Sequence, residues 1–353
     1  MIVHQVINDY HLANGGAQRL AIEIHRGCLD AGLSSRLLGL SKDPNYCLEN
    51  ASSFKYSNVY NLRSILQTWY YFREEVSNGD IVHVHLFPAT LYVCILKRLG
   101  LIPRCKLFLT EHNTNNRRRN LWLGKTIDML IYHSFEKIIA ISDGVYDAIV
   151  DYLPDVKSKL FRINNGAHLP CNEVQLREMK NSIIVVSVGR LHAQKNYVTA
   201  LRSINELKHL DFEYWIAGTG EAKKDLTNFA HHLGIDNKVK FLGYVEDIPA
   251  LLQKCDIFLI TSEWEGFGLA AVEAMNASLP LIVSKVNGLK DLVAEDGQDA
   301  FLVDPKDYKS VAKYLEILIE SRSLRLEMGT RAFYRSKSFG INSMIENYIN
   351  LYK

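Results

Sequence analysis

The feature that most restricts this chain is an alternation kept up almost from end to end: short β-rich runs, each followed by a stretch of helical spacing. Residues 2–7 read as a strand and residues 17–31 as the helix behind it; residues 80–86, 106–111 and 137–141 are further strands. Such βαβα order implies parallel sheets with helices on both faces. The pattern pauses at residues 164–182, which hold Asn164-Asn165-Gly166, a proline and several charges but little apolar periodicity, and which read as an interdomain linker. A second series opens at residues 183–188 and continues through 213–217, 238–242, 256–260, 279–283 and 300–303. Residues 323–353 read as helical, with Ile341, Met344, Ile345, Tyr348, Ile349 and Leu351 on one apolar face. At 353 residues the chain exceeds the roughly 250–300 that one hydrophobic core serves. The expectation is two doubly wound α/β domains, over residues 1–165 and 166–337. Ligands of such folds bind at the carboxyl ends of strands, so the candidate site is the strand-to-helix loops facing the gap between the domains.

Composition narrows the class. Hydrophobic residues at 48% and charged residues at 23% fit a globular protein and exclude a disordered one. A net charge of +2 makes no demand for nucleic acid. The charge is uneven: residues 1–170 carry 19 basic against 15 acidic side chains and the remainder 22 against 24, a modest basic excess in the first half that favours an anionic surface. The six cysteines, at 28, 47, 94, 105, 171 and 255, form no C-x-x-C pair, so neither a zinc site nor a redox pair is suggested, and scattered thiols suit a reducing compartment. The opening MIVHQVI has no signal-peptide character, and apolar runs such as 91–96 are too short to span a bilayer. The expectation is a cytoplasmic protein, at most peripheral to a membrane.

Three loops are built to hold an anion. Asn14-Gly15-Gly16-Ala17-Gln18-Arg19 follows the first strand and opens a helix, where free N–H groups attract phosphate; a plain tight turn with helix capping reads equally well. Gly189-Arg190 with Lys195-Asn196 follows the first strand of the second series. Its arginine can fork onto phosphate oxygens and its lysine supplies a point charge; the plain alternative is a solvated basic loop. Glu265-Gly266-Phe267-Gly268-Leu269 leads from a clean strand into a helix that carries Glu273 one turn on, so two carboxylates suited to sugar hydroxyls can address one ligand from different heights. Residues 266–271 also match the loose dinucleotide fingerprint, but the next strand ends in Ser284-Lys285 where a ribose-binding acid is wanted, which disfavours a nicotinamide cofactor.

Among the histidines, His83 and His85 share one face of a strand, a pair without a clear third ligand for a metal, and read as structural or cleft-facing. His112 ends a strand, where an imidazole can meet a sugar hydroxyl or help proton traffic, with core packing as the alternative. Arg117, Arg118 and Arg119, beside Trp122 and Leu123 and ahead of the apolar segment 127–135, read either as a solvated loop or as a contact with an anionic membrane face.

Taken in order, these pieces resemble the family 4 retaining glycosyltransferases of the two-domain GT-B fold. The likeness runs through Gly15-Gly16-Ala17-Gln18-Arg19, His83-x-His85, Thr110-Glu111-His112, Ala140-Ile141-Ser142, Asn165-Gly166, Gly189-Arg190 with Lys195-Asn196, Gly218-x-Gly220, Phe241-x-Gly243, Glu265-Gly266-Phe267-Gly268 with Glu273-Ala274-Met275, and Leu302-Val303-Asp304. The resemblance implies that Arg190 and Lys195 grip a donor diphosphate, that Glu273 holds the ribose and Glu265 faces the sugar, and that backbone at Gly266, Phe267, Gly268 and Leu269 meets sugar and phosphate. It further implies that Tyr244 and Val245 meet the base, that Gly218 belongs to the donor side, that Gly16 lies near diphosphate and acceptor, and that His112 approaches the transferred sugar. A tail helix over about 338–353 would return to the first domain.

The implied donor is a nucleotide diphosphate sugar, by family habit a UDP-sugar, with no metal or other cofactor. The implied acceptor is a glycan or lipid-linked hydroxyl, made at the inner face of a bacterial membrane. A nucleotide-sugar 2-epimerase of the same architecture and a non-catalytic sugar-nucleotide sensor are the rival readings; the Glu265/Glu273 pair with the Gly-Gly-Ala loop favours transfer. Three positions depart from the pattern: Ser278-Leu279-Pro280, Gly288-Leu289-Lys290-Asp291 and Ala300 stand where the family has a glycine, a G-x-x-E turn and a further glycine.

Overall fold

The computed structural model describes residues 1–10, 16–41, 48–54, 58–61, 63–114, 116, 119, 121–175 and 182–353. The chain divides into two compact units, residues 1–165 with 342–353, and residues 166–341.

The first unit is a seven-stranded parallel sheet in the order β3-β2-β1-β4-β5-β6-β7. Its strands are β1 (Val3–Ile7), β2 (Ser35–Gly39), β3 (Ala51–Ser53), β4 (Ile81–His85), β5 (Lys106–Glu111), β6 (Lys137–Ala140) and β7 (Leu160–Arg162). Its helices are α1 (Gly16–Asp30), α2 (Arg63–Glu75), α3 (Ala89–Arg98), α4 (Gly124–Ser134) and α5 (Asp143–Tyr152). The central strands β1 and β4 are buried at every residue, as strands covered on both faces must be. β2, β3 and β7 complete the sheet where the sequence pattern marks no strand. β3 and β7 have only three residues each, too few to carry a period, and β2 opens on Ser35-Arg36.

The second unit is a six-stranded parallel sheet in the order β10-β9-β8-β11-β12-β13. It contains β8 (Ile183–Val188), α6 (Tyr197–Glu206), β9 (Phe212–Ala217), α7 (Lys223–Leu233), β10 (Val239–Gly243), α8 (Ile248–Gln253), β11 (Ile257–Ile260), α9 (Leu269–Asn276), β12 (Leu281–Ser284), β13 (Ala300–Val303), α10 (Tyr308–Glu320) and α11 (Arg322–Ser336). Side-chain caps fix several helix starts: Asp247, Asp307 and Ser321 accept from the backbone N–H three residues on, which satisfies a donor the helix leaves orphaned. In both sheets the chain reverses its winding once, between β1 and β4 and between β8 and β11. Strands splay apart at such a point and open a crevice at their carboxyl ends.

The stretch read as a linker is tied down over its first part. The side chain of Asn276 on α9 brackets Cys171, accepting from its N–H at 3.0 Å and donating to its carbonyl at 3.1 Å. Residues 176–181 of that stretch lie outside the described residues. The tail is two helices where the pattern reads one. Between α11 and α12 (Ile341–Tyr352) the backbone pairs with Ala167: its N–H donates to the Phe339 carbonyl at 2.9 Å and its carbonyl accepts from Ile341 at 3.0 Å. Those groups are spent on a bridge and cannot continue a helix. α12 belongs to the first unit, where Ile345 packs against Gly27 of α1.

Candidate active site

In the second unit, the loops that leave β8 and β11 meet at the winding reversal. Gly189 follows β8 and leads through Arg190 into a short turn at 193–195. The side chain of Gln194 donates to the Trp264 carbonyl at 2.7 Å and the Gln194 main-chain carbonyl accepts from Glu263 N–H at 2.9 Å, which laces this turn to the loop after β11. Lys195 Nζ lies 2.5 Å from Glu265 Oε1, and Ser262 Oγ donates to the same oxygen at 2.8 Å. The pair that the sequence offers as separate ligand contacts is thus one ion pair, with Glu265 buried and Lys195 half-buried. Its position is enforced from below. Asn196 sits in the left-handed region at φ 47°, held by its side-chain N–H on the Pro305 carbonyl at 2.7 Å, while Thr261 Oγ1 donates to the Asn196 carbonyl at 3.0 Å. A non-glycine residue keeps that conformation only where its surroundings over-determine it, which is common at functional sites. Tyr197 OH donates to the Gly189 carbonyl at 3.1 Å; burial first, then Tyr214 and Glu265, push its phenol well above the usual range.

The loop at 265–269 is equally constrained. Gly288 has φ +87°, and a Cβ there would come within 2.6 Å of the Glu265 carbonyl and 2.8 Å of the Gly266 carbonyl carbon, so only glycine lets the two loops touch. Gly288 N–H donates to Asp291 at 3.3 Å, so Asp291 caps the turn where the family has glutamate. The Phe267 side chain is buried edge-on to Phe339, with centroids 5.6 Å apart, which leaves its backbone rather than its ring for a ligand. Gly266, Gly268 and Leu269 are half-buried, and Leu269 starts α9. Glu273, half-buried on α9, lines a small pocket with His168, Cys171, Pro249 and Leu252. Gly218 ends β9 against Gly189, where a Cβ would fall 1.9 Å from the Gly189 carbonyl oxygen. Tyr244 is 58% exposed, Val245 half-buried and Arg190 exposed; the Arg190 side chain makes no hydrogen bond or ion pair among the described residues. Lys285 is exposed after β12.

In the first unit Gly16 is exposed at the start of α1, while Asn14 and Gly15 lie outside the described residues. His112 follows β5 and is only 7% exposed. Its Nε2 is 3.2 Å from Nδ1 of His85, whose Nε2 is 2.8 Å from Gln5 Oε1. Burial holds His112 at about 3; burial, with His112 beside it, holds His83 at about 3, and burial with both neighbours holds His85 well below 6.5. All three rings are therefore neutral at physiological pH. Glu111 braces the turn: its Oε1 accepts from the N–H groups of His112 at 3.1 Å and Asn113 at 3.2 Å, and its Oε2 accepts from Tyr132 OH at 2.6 Å. His83 and His85 are thus members of a hydrogen-bonded network, and no group of three or more metal-ligating side chains occurs among the described residues. Sequence reasoning missed Gln5, in the middle of β1, and Thr261 and Ser262, just past β11, polar residues that carry no motif.

Two further sequence readings change. Arg119 is not a free surface charge: it donates to the Thr114 carbonyl at 2.9 Å and its guanidinium lies 4.6 Å from the Tyr152 ring centroid, while Arg117 and Arg118 lie outside the described residues. Ser278 has φ +58°, which accounts for the glycine the family uses there; its hydroxyl accepts from Gln175 N–H at 2.9 Å, a local bond that helps hold the strained backbone. No helix among the described residues is long and apolar enough to cross a membrane.

These two parallel α/β sheets define a GT-B fold. The family models agree: "Glycosyltransferase Family 4" matches residues 14–169 and "Glycosyl transferases group 1" matches residues 172–335, so the chain belongs to the glycosyltransferases built from these two domains. It is 27% identical to the Campylobacter jejuni enzyme named GalNAc-alpha-(1->4)-GalNAc-alpha-(1->3)-diNAcBac-PP-undecaprenol alpha-1,4-N-acetyl-D-galactosaminyltransferase, over 96% of this chain and 95% of that one. It is 28% identical to the Escherichia coli UDP-Gal:alpha-D-GlcNAc-diphosphoundecaprenol alpha-1,3-galactosyltransferase, over 76% of this chain and 73% of that one. The Anabaena HepE structure in complex with UDP-glucose superposes with a TM-score of 0.81 at 19% identity, covering 99% of this chain and 98% of that one, a likeness of fold.

Proposed function

We propose that this glycosyltransferase moves a hexose or N-acetylhexosamine from a UDP-sugar to a hydroxyl of a lipid-linked or glycan acceptor in bacterial surface polysaccharide synthesis. The configuration at the anomeric carbon is retained, and neither a metal ion nor another cofactor is needed. The observation that carries the reading is the Lys195–Glu265 pair, seated where β8 and β11 part, on the loop that also carries Arg190. A diphosphate leaving group needs positive charge that is in place before the bond breaks. Lys195 and Arg190 supply it, and Glu265, partly released as phosphate draws on Lys195, turns its carboxylate to the sugar. Glu273 takes the ribose, Tyr244 and Val245 the base, and Gly218 and the backbone at Gly266–Leu269 the diphosphate and sugar; Gly16 and His112 are the first unit's own candidates for diphosphate and sugar. The acceptor class is that printed for the Campylobacter and Escherichia relatives, and the uridine donor that printed for the latter and for the Anabaena complex.

The protein works at the inner face of the cytoplasmic membrane, touching it through α4. Leu121, Trp122 (90% exposed) and Leu123 in the turn that opens α4, with Met129 and Leu130 on the helix, are exposed apolar side chains, with Lys125 exposed between them and Arg98 reaching the Leu130 carbonyl at 3.2 Å. Exposed apolar side chains edged by basic residues suit a lipid interface.

The test is thermal stabilisation by UDP, GDP, ADP and NAD. It is followed by transfer from the matching nucleotide sugars to a diphosphate-lipid sugar acceptor in EDTA, with the product anomer read by NMR. A ligand at about 100 times its Kd stabilises by about 2.7 kcal/mol. Stabilisation by UDP, lost in Arg190→Ala and Lys195→Ala, and an α-linked product formed in EDTA are the expected results. A shift with NAD alone, an inverted product, or activity abolished by EDTA each removes the corresponding part of the reading.

A further inference from the structure

The buried network behind His112 runs on to the last helix of the chain, and its polarity can be followed atom by atom. Gln5 on β1 donates through Nε2 to Tyr352 OH at 3.0 Å. Its Oε1, which can only accept, is 2.8 Å from His85 Nε2, so the His85 proton is on Nε2 and its Nδ1 is bare. His85 Nδ1 is 3.2 Å from His112 Nε2, so the His112 proton is on Nε2 as well, and Nδ1 of His112 is left as an acceptor with no partner among the described residues. On the other branch Tyr352 OH, already accepting from Gln5, donates to His83 Nδ1 at 2.6 Å, and His83 Nε2 donates to Thr110 Oγ1 at 2.7 Å. Each proton follows from the orientation of the Gln5 amide, and these side chains lie inside the core, His112 at 7% exposure and the others at 1% or less, so water offers no substitute partner.

The polarity turns on one amide. With the Gln5 side chain reversed, its NH₂ would donate to His85 Nε2, the His85 proton would move to Nδ1, and the His112 proton to its own Nδ1, which would then donate where it now accepts. Tyr352 is the group that Gln5 Nε2 addresses in the observed arrangement. The Tyr352 ring is held in place by stacking on Phe108, with centroids 6.0 Å apart and planes at 22°.

We propose that Tyr352 is a positioning residue: through Gln5 and His85 it keeps the His112 proton on Nε2, so that His112 offers a bare Nδ1 to a hydroxyl of the transferred sugar. The proposal rests on the reading of His112 as the residue that meets that sugar. It couples α12, the last helix, to the strand end at which transfer occurs.

Histidine-labelled full-length protein reports the tautomers directly in long-range ¹⁵N–¹H spectra of the imidazoles, with His112→Gln identifying its signals. The expected wild-type spectrum has His112 protonated on Nε2. In Tyr352→Phe, which keeps the ring and loses the hydroxyl, the amide is no longer pinned; His112 is expected to divide between tautomers, and kcat to fall about tenfold at little changed donor KM. A His112 proton on Nδ1 in the wild type overturns the proposal, and that measurement stands even if Tyr352→Phe fails to fold. A Tyr352→Phe spectrum identical to wild type, with only the melting temperature lowered, overturns it too and leaves Tyr352 a packing residue. Full turnover by His112→Gln, with the tautomers as expected, would instead overturn the placement of His112 at the sugar and leave the relay intact.

Discussion

Acid is the perturbation whose cost follows most directly from the first unit. His83, His85 and His112 are buried together, and burial, reinforced for the first two by neighbouring imidazoles, holds His83 and His112 at about 3 and His85 well below 6.5. In the unfolded chain each ring titrates near 6.5. Below that pH the unfolded state takes up protons that the folded state refuses. The stability these rings allow is therefore complete above about pH 6.5 and is lost progressively as the pH falls from about 6.5 toward about 3. Each ring costs about 1.4 kcal/mol at about pH 5.5 and almost nothing at about pH 7.5, so the three together cost about 4 kcal/mol. That is a large share of the roughly 5–15 kcal/mol by which domains are stable. His4 and His25, lowered chiefly by burial, act in the same direction. Hydrogen exchange followed by mass spectrometry, corrected for the pH dependence of intrinsic exchange, gives the opening free energy of β4 and β5 at the two pH values. A fall of about 4 kcal/mol is expected. A fall under about 1 kcal/mol would mean that the rings already carry protons in the folded state, and a network in which each ring keeps one bare nitrogen would be wrong.

Three other outcomes are expected. Lys195→Ala removes the lysine from a buried Glu265 that Ser262 also contacts and costs about 2–3 kcal/mol in urea denaturation, part of which returns in Lys195→Ala with Glu265→Gln; strictly additive losses would show that the pair is not coupled. Gly288→Ala drives a methyl into the backbone at 265–266 and costs about 1–3 kcal/mol with weakened UDP binding, whereas wild-type binding would mean that the loop yields freely. Trp122→Ala should lower flotation with vesicles of anionic lipid and leave transfer to a water-soluble acceptor unchanged; unaltered flotation would move the membrane contact away from α4.

Much of this arrangement is legible in the sequence because the strands that matter are buried on both faces. β8 and β11 are nearly continuous apolar runs, β1 and β4 mix aliphatic residues with His4, Gln5, His83 and His85, and the residue that follows such a strand stands at its carboxyl end. That is how His112, Arg190, Lys195 and Glu265 can be assigned to strand-to-helix loops before any coordinates, whereas Glu273 is read one turn into the helix that follows. The edge strands β3 and β7 escape the same reading because three residues hold no period, and Arg119 misleads because a run of arginines reads as surface while one of them stacks inward on Tyr152.

Pairing is the part that sequence conceals. Lys195 and Glu265 are each visible as a charged residue in a ligand-binding loop, yet nothing local says that the lysine neutralises the glutamate, because the contact is made by two strands that are adjacent in the sheet and far apart in the chain. His83 and His85 give the same lesson more strongly. Two histidines on one strand face read as structural or cleft-facing without saying what they bond, and their partners are Tyr352, 269 residues away from His83, together with Gln5 and Thr110. Tyr352, Gln5 and the two imidazoles, with Thr110 and His112 at the ends, have complementary donors and acceptors, so each ring nitrogen of His83 and His85 is engaged by a neighbour. The helix that supplies Tyr352 begins where the backbone at 339–341 is spent on Ala167, so the pairing that ends α11 also sets where α12 starts, and with it where the tyrosine falls.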